Sequence, residues 1–97
     1  MEKMLQRIDE LIDRIDRGPD DPDIALAGRM NIPLDKFRAI LVEARLCIAS
    51  HPGQFAAQNF TLMSWYIMDN MNYFEETAFG RTLHSVTNDL YFMSYLL

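Results

Sequence analysis

Apolar residues recur every three or four positions along most of the chain, which is the spacing that predicts α-helices. Over residues 2–17 they occupy one side of the predicted helix and charged residues occupy the other, as in an amphipathic helix packed on a core. Gly18 and Pro19 predict its end, because glycine often closes a helix and proline cannot continue one. The apolar side consists of Met1, Met4, Leu5, Ile8, Leu11, Ile12 and Ile15.

From Asp21 onward the pattern predicts two helices joined by a short turn. Asp21 is a good N-cap residue, and Pro22 suits the first helical position, where a missing N–H costs nothing. The turn spans Asn31 to Pro33, where the second helix begins, and Asn31 tolerates the left-handed backbone that such a turn needs. Ala27 is small where the two helices must approach, which is typical of a helix-turn-helix. The side chains expected to pack inward are Leu26, Met30, Ile32, Phe37 and Ile40.

The second half of the chain predicts two further helices after a break at residues 50–52. One starts at Pro52, and its apolar stripe continues to Gly80, which is its expected end; the other starts near Thr82. The first would be about thirty residues long, and Asn and Asp are middling helix formers, so we expect a kink or break at residues 69–72. The expected inner positions are Ala56, Phe60, Met63, Ile67, Met71, Phe74 and Ala78, then Leu83, Val86, Leu90, Met93 and Leu97.

Together these patterns predict an all-α protein of about five helices. An N-terminal helix and the helix-turn-helix would pack against two C-terminal helices rich in aromatic residues and methionine. The chain has 97 residues, of which 49% are hydrophobic, enough for a core. A chain of this length is expected to form one domain, residues 1–97.

The segment LAGRMNIPLDKFRAIL, residues 26–41, resembles region 3 of bacterial primary sigma factors, whose members are close to LAxRMxMPxDKxRxxL. The resemblance covers 16 of the 97 residues. It implies a helix-turn-helix that lies on promoter DNA, with Lys36 and Arg38 near phosphates. After Ala44 the chain departs from the family, which continues with Lys, Glu and Pro before an Ile-Ser pair, and the remaining residues leave no room for the polymerase-binding regions. The resemblance therefore implies a helix-turn-helix shape rather than a sigma-factor role.

The charge distribution disfavours nucleic acid as a partner. The net charge is −5, and only residues 34–51 are slightly basic, with three bases and two acids. Nucleic-acid binders usually carry a strongly basic face, because neutralising phosphates supplies most of their affinity. The alternative function that remains open is a helix-turn-helix DNA-binding regulator, whose DNA contacts would come from Arg29, Lys36, Arg38 and Arg45.

The chain offers little for catalysis, and we expect no catalytic, cofactor or metal site. Cys47 and His51 are four residues apart, but Cys47 falls on the packing face, where a free cysteine is usually inert. With His84 they have no zinc-ligand spacing, and the four glycines form no phosphate-binding loop. A lone cysteine, no signal peptide and no apolar run long enough to span a membrane predict a cytoplasmic protein.

The aromatic residues suggest a surface that the chain cannot cover by itself. Ten of the 11 lie after Pro52, and the last eight residues, LYFMSYLL, are apolar almost all round. A helix that is apolar on every side needs to be surrounded. Either the first and fourth helices wrap it, or a second protein covers it, most simply another copy in a two-fold dimer. The residues expected in this partner or dimer interface are Trp65, Tyr66, Met68, Tyr73, Tyr91, Phe92, Tyr95 and Leu96.

The expected function is therefore protein–protein interaction in a bacterial or phage-encoded protein. The sequence favours a small acidic regulator that forms a homodimer and binds and inhibits a larger protein such as a transcription factor, as an anti-activator would. An immunity or inhibitor protein for a toxin or enzyme is a further alternative, because it would need the same kind of surface.

Overall fold

The computed structural model describes the backbone at residues 2–50 and 57–96, and the side chains at residues 2–49 and 61–92. Within these residues the chain forms six α-helices and no strand, which confirms the all-α prediction. A short 3-10 helix, Gly18–Asp20, connects the first two α-helices. The α-helices are α1 Glu2–Arg17, α2 Pro22–Arg29, α3 Leu34–Ser50, α4 Ala57–Met68, α5 Met71–Glu76 and α6 Ala78–Leu96.

The amphipathic α1 ends at Arg17, as predicted. Gly18 follows with a φ of +70°, a left-handed conformation that glycine adopts without strain. The apolar face of α1 packs against α3 and α6. On this face Met4, Ile8 and Leu11 are buried, and Leu5, Ile12 and Ile15 are partly buried; Met1 lies outside the described residues.

The cap and the turn of the helix-turn-helix form as predicted. The Asp21 carboxylate accepts a hydrogen bond from the backbone N–H of Asp23 at 3.0 Å, and Pro22 is the first residue of α2. Asn31 has the predicted left-handed backbone, with a φ of +58°. Ile32 fills the space beneath the turn and is buried.

Two details of this motif differ from the prediction. α3 begins at Leu34 rather than Pro33, because the carbonyl of Pro33 accepts an opening hydrogen bond from the N–H of Phe37 at 3.2 Å and the residue itself stays outside the helix. Met30 was expected to pack inward but is 37% exposed, because α2 ends at Arg29 and its cap residue no longer follows the helical spacing. The other predicted inward residues are buried or partly buried: Leu26, Ala27, Ile32, Phe37 and Ile40.

The predicted break near residue 70 is confirmed, and it divides the long fourth helix into α4 and α5. The side-chain amide of Asn70 donates to the carbonyl of Tyr66 at 3.0 Å, which closes α4. The backbone carbonyl of Asn70 accepts from the N–H groups of Tyr73 and Phe74, which opens α5. Asn70 therefore ends one helix with its side chain and starts the next with its backbone.

Gly80 does not end a helix, and this prediction is wrong. The helix is interrupted at Thr77, and Gly80 lies in the first turn of α6. The Thr77 hydroxyl accepts from the N–H of Gly80 at 2.9 Å and donates to the carbonyl of Tyr73 at 2.9 Å. A Cβ at Gly80 would lie 2.6 Å from both oxygens, so only glycine permits this close corner. Because the break restarts the helical spacing, Ala78 is exposed instead of inward.

α6 lies at the centre of the fold and contacts α1, α2, α4 and α5. Leu83, Val86 and Leu90 fill the core from its inner side, as predicted. Thr87 is also buried, and its hydroxyl donates to the carbonyl of Leu83 at 2.7 Å. The predicted inner positions Met63, Ile67 and Phe74 are buried, and so are Leu41, Ala44 and Ile48 of α3. Cys47 and Met71 are partly buried, and Ala56, Phe60, Met93 and Leu97 lie outside the described side chains.

Candidate functional site

The outer side of α4 exposes three large apolar side chains. Leu62, Trp65 and Met68 are 43%, 63% and 70% exposed. They are three residues apart, so they lie along one side of the helix. α4, Ala57–Met68, contains no charged residue. We refer to Leu62, Trp65 and Met68 as the α4 surface; large apolar side chains grouped in this way are typical of a docking site.

A shallow groove adjoins the α4 surface, between α4 and α6. Its volume is about 300 Å³, and its lining is mostly apolar. Met68 belongs to both features, which makes the groove continuous with the α4 surface. The polar side chains of the groove come from one residue of α4 and two of α6. The lining residues are Ser64, Ile67, Met68, Met71, His84 and Asn88.

A second exposed aromatic pair lies on α6. Tyr91 and Phe92 are 47% and 62% exposed, and their rings meet edge to face with centroids 5.8 Å apart. Phe92 borders a more polar groove of about 570 Å³ along the outer side of α6. Beside this groove Arg7 of α1 pairs with Asp89 at 2.7 Å. We refer to Tyr91 and Phe92 as the α6 surface.

The predicted interface residues divide into exposed and buried positions. Trp65, Met68, Tyr91 and Phe92 are exposed, as a docking role requires. Tyr66 is half-buried: its ring packs 5.8 Å from that of Phe37, and the Lys36 ammonium lies 5.8 Å above it. The side chains of Tyr95 and Leu96 lie outside the described residues. Leu62 was not predicted, although its position three residues before Trp65 places it on the same face.

Tyr73 is a core residue, and its assignment to the interface is wrong. It is 1% exposed, and its hydroxyl donates to the backbone carbonyl of Asp23 at 2.7 Å. Its ring packs edge to face on Phe74. Burial raises the pKa of the Tyr73 hydroxyl to about 12. The partner of its hydroxyl lies 50 residues earlier in the chain, on α2, so the local spacing of apolar residues could not predict this burial.

The cations of the helix-turn-helix are largely engaged within the chain. Arg38 forms two hydrogen bonds to Asp16, at 2.6 and 3.0 Å, and Arg45 forms two to Asp9, at 2.5 and 3.3 Å. The hydrogen bond from Arg38 lowers the pKa of the Asp16 carboxyl. α1 therefore places a carboxylate beside each of these two predicted DNA contacts. Lys36 lies over an aromatic ring, and Arg29 is exposed, with no ion pair to any described residue.

A polar network around Asp23 holds α2 against the start of α6. The Asp23 carboxylate accepts from the backbone N–H of Phe79 at 3.1 Å and pairs with Arg14 at 3.4 Å. Arg14 also pairs with Asp21 at 2.8 Å and lies 5.1 Å from the centre of the Phe79 ring. Its ion pairs, its hydrogen bonds and the contact of a cation with an aromatic ring are all favourable, so the network stabilises the packing of α2 against α6.

Nothing else in the described residues forms a recognisable chemical site. No three His, Cys, Asp or Glu side chains among them converge as metal ligands would. Every buried side-chain oxygen or nitrogen in that part of the chain has a hydrogen-bond partner. Cys47 is half-buried, and His51, four residues later in the sequence, lies outside the described residues. None of the described helices combines the length and the apolar character needed to cross a membrane.

No protein-family model, curated protein or solved structure matches the chain. Similarity therefore assigns neither a family nor an activity. The features that bear on function are the exposed apolar side chains and the distribution of charge around them.

Proposed function

We propose that the protein is a small acidic regulator that acts by protein–protein contact in the cytoplasm. It forms a homodimer, and it binds and inhibits a larger protein such as a transcription factor. The observation that carries this proposal is the α4 surface, which exposes Leu62, Trp65 and Met68 on an uncharged helix. Aromatic residues and Met are enriched at protein–protein interfaces, and Trp and Tyr at the positions that supply most binding energy.

Inhibition would be steric, with charge setting the choice of partner. The net charge of −5 favours association with a basic surface. The DNA-binding face of a transcription factor is such a surface, and covering it would block DNA. The exposed rings of Trp65 and Phe92 would supply apolar anchors for the two contacts, self-association and binding of the larger partner.

The proposal is tested by isolating the partner and measuring its inhibition. Tagged wild-type chain, Trp65→Ala, Phe92→Ala and the control Gln6→Ala, a polar exposed residue of α1, would each be used to capture proteins from the native host. The captured protein is then purified and assayed with each variant. We expect inhibition by wild type and Gln6→Ala, and inhibition weakened about tenfold or more by at least one aromatic variant. Equal binding by all four proteins, or captured protein that stays fully active, would contradict the proposal.

The second candidate is a helix-turn-helix DNA-binding regulator. The geometry of α2, the Asn31 turn and α3 favours it, whereas the pairing of Arg38 with Asp16 and of Arg45 with Asp9 weakens it. Electrophoretic mobility with random duplex DNA at low salt separates the two. A shift that weakens steeply with added salt would support DNA binding, and no shift at low salt would support protein interaction. An immunity or inhibitor protein shares the same surfaces, so the identity of the captured partner distinguishes it.

A further inference from the structure

The spacing of the α4 surface is symmetric about its central residue. Leu62 lies three residues before Trp65, and Met68 lies three residues after it. In a two-fold contact, if residue i of one copy contacts residue j of the other, then residue j of the first copy contacts residue i of the second. Two antiparallel copies of α4, crossing at Trp65, would place Leu62 against Met68 twice and Trp65 against Trp65 once. Methionine is flexible enough to pack against leucine, so this face is complementary to itself.

Charge also limits where two copies can meet. Each chain carries a net charge of −5, so copies repel one another except where carboxylates are few. α4 has no charged residue, and Asp69 directly follows it. In a parallel pair the two Asp69 side chains would lie side by side. In an antiparallel pair centred on Trp65 they are about 12 Å apart along the axis alone, which is beyond the screening length of about 8 Å at physiological salt.

The size of α4 predicts a weak contact. Its 12 residues span about 18 Å, and packed helices approach to about 8–10 Å. The surface area that such a contact buries on each partner is smaller than the area of about 800 Å² per partner that stable complexes bury. The dimer is therefore concentration-dependent. The groove beside Met68 extends it, because Leu62 of the partner subunit would lie at the edge of that groove.

From these three observations we propose that α4 is the contact between two copies of this chain, arranged antiparallel with Trp65 on the two-fold axis. The inference rests on the proposed function and assigns residues to its homodimer. It leaves Phe92, on α6, for the larger partner.

Disulfide trapping tests the arrangement, in a Cys47→Ser background so that no native thiol competes. Leu62→Cys and Met68→Cys chains, one of them tagged, are oxidised separately and as an equimolar mixture. We expect the mixture to form the mixed covalent dimer, and each variant alone to form little. Two copies of Cys at position 62 would be about 9 Å apart along the axis alone, which exceeds the Cα separation of about 7 Å that a disulfide spans. Trp65→Cys should crosslink to itself.

Thr82→Cys, exposed on α6, is the matched control for random collision. Crosslinking of Leu62→Cys alone at the yield of the mixture would show a parallel pair and overturn the proposal. Yields that never exceed the Thr82→Cys control would overturn it as well.

Sedimentation equilibrium provides a second test without cysteines. We expect the mass of wild type to rise from 11.3 kDa toward twice that value with concentration. Trp65→Ala should weaken association about tenfold or more, and Phe92→Ala should leave it unchanged. Loss of association with Phe92→Ala but not Trp65→Ala would move the contact to α6 and overturn the proposal. A monomer at every concentration would overturn the self-contact, while inhibition of a captured partner would still stand as an independent result.

Discussion

Asp21 links helix capping to charge pairing through a single carboxylate. One oxygen accepts the N–H of Asp23, which caps α2, and the carboxylate also binds the Arg14 guanidinium at 2.8 Å. The hydrogen bond from Arg14 lowers the pKa of the Asp21 carboxyl. Its side chain is only 12% exposed, so water screens the pair less than it would at the open surface.

We expect Asp21→Asn to keep the cap and lose the charge pair, because asparagine caps a helix as well as aspartate does. The free energy of unfolding at pH 7 should fall by about 1 kcal/mol. The pKa of Asp21 is lower in the folded chain than in the unfolded chain. Its ionisation therefore stabilises the fold above about pH 4, and this contribution is lost as the pH falls through the folded value.

Urea denaturation at pH 7 and through the acid range measures this effect. Below about pH 4 the stability of Asp21→Asn should fall less steeply than that of wild type. Asp20→Asn, an exposed neighbour, serves as the control and should follow wild type. Parallel curves for Asp21→Asn and wild type would exclude a contribution from the pair.

At the scale of elements, the corner between α5 and α6 is built by Thr77 and Gly80. The Thr77 hydroxyl caps α6 and also bonds back to α5, while the absence of a side chain at Gly80 lets the two helices meet. Asp23 of α2 binds a second N–H of the same helix end, that of Phe79. The start of α6 is therefore fixed by two other helices.

We expect Gly80→Ala to lower the free energy of unfolding by about 2 kcal/mol or more. Its Cβ would lie 2.6 Å from the carbonyl oxygen of Tyr73 and 2.9 Å from the Cα of Phe74, and overpacking of this kind costs about 1–3 kcal/mol. Gly28→Ala is the matched control, because nothing lies within 4 Å of its Cβ. It should be neutral or stabilising by up to about 1 kcal/mol. Thermal unfolding of the two variants decides, and equal melting temperatures would contradict the prediction.

The sequence anticipated the elements well where a local signal existed. The Asp21 cap, the left-handed Asn31 and the break near Asn70 all depend on residues within a few positions of each other. The break at Thr77 was missed because apolar residues continue on both sides of it with helical spacing. The available signal was a threonine followed three residues later by a glycine, because a threonine hydroxyl can cap the start of a helix. Missing that break also made Gly80 look like a helix end.

At the scale of the whole molecule, α6 is the central helix, and α1, α2, α4 and α5 pack against it. Leu90 is 2% exposed and belongs to the core, while its neighbours Tyr91 and Phe92 face outward. The final helix is thus partly core and partly surface, although its sequence is apolar almost all round. Periodicity alone could not divide these roles, because the division depends on which sides α1, α2, α4 and α5 cover.

We expect Leu90→Ala to lower the free energy of unfolding by about 2–5 kcal/mol, because it leaves a cavity where several helices meet. Leu62→Ala, on the α4 surface, removes the same atoms from a side chain that is 43% exposed. It should cost about 0.5 kcal/mol or less. Urea denaturation followed by near- and far-ultraviolet circular dichroism provides the measurement. Equal losses of unfolding free energy in Leu90→Ala and Leu62→Ala would contradict the prediction.

The candidate site was predictable in composition but not in position. A surplus of aromatic residues and methionine in the second half indicated an exposed apolar surface, and Trp65 and Phe92 are exposed. The Tyr73 hydroxyl meets the carbonyl of Asp23, 50 residues away on α2, and composition cannot reveal such a contact. The partners of Arg38 and Arg45 lie 22 and 36 residues away on α1, so no local pattern could have revealed them.

The uncharged face of α4 has a practical consequence for handling the protein. Acid titrates the carboxylates that keep molecules apart, and the calculated isoelectric point is about 4.8. The apolar side chains of α4 carry no ionisable group, so the hydrophobic effect still favours their association when the electrostatic repulsion between molecules is lost. We therefore expect solubility to be lowest near pH 4.8, and we expect neutral or slightly alkaline buffer of modest ionic strength to suit purification and storage best.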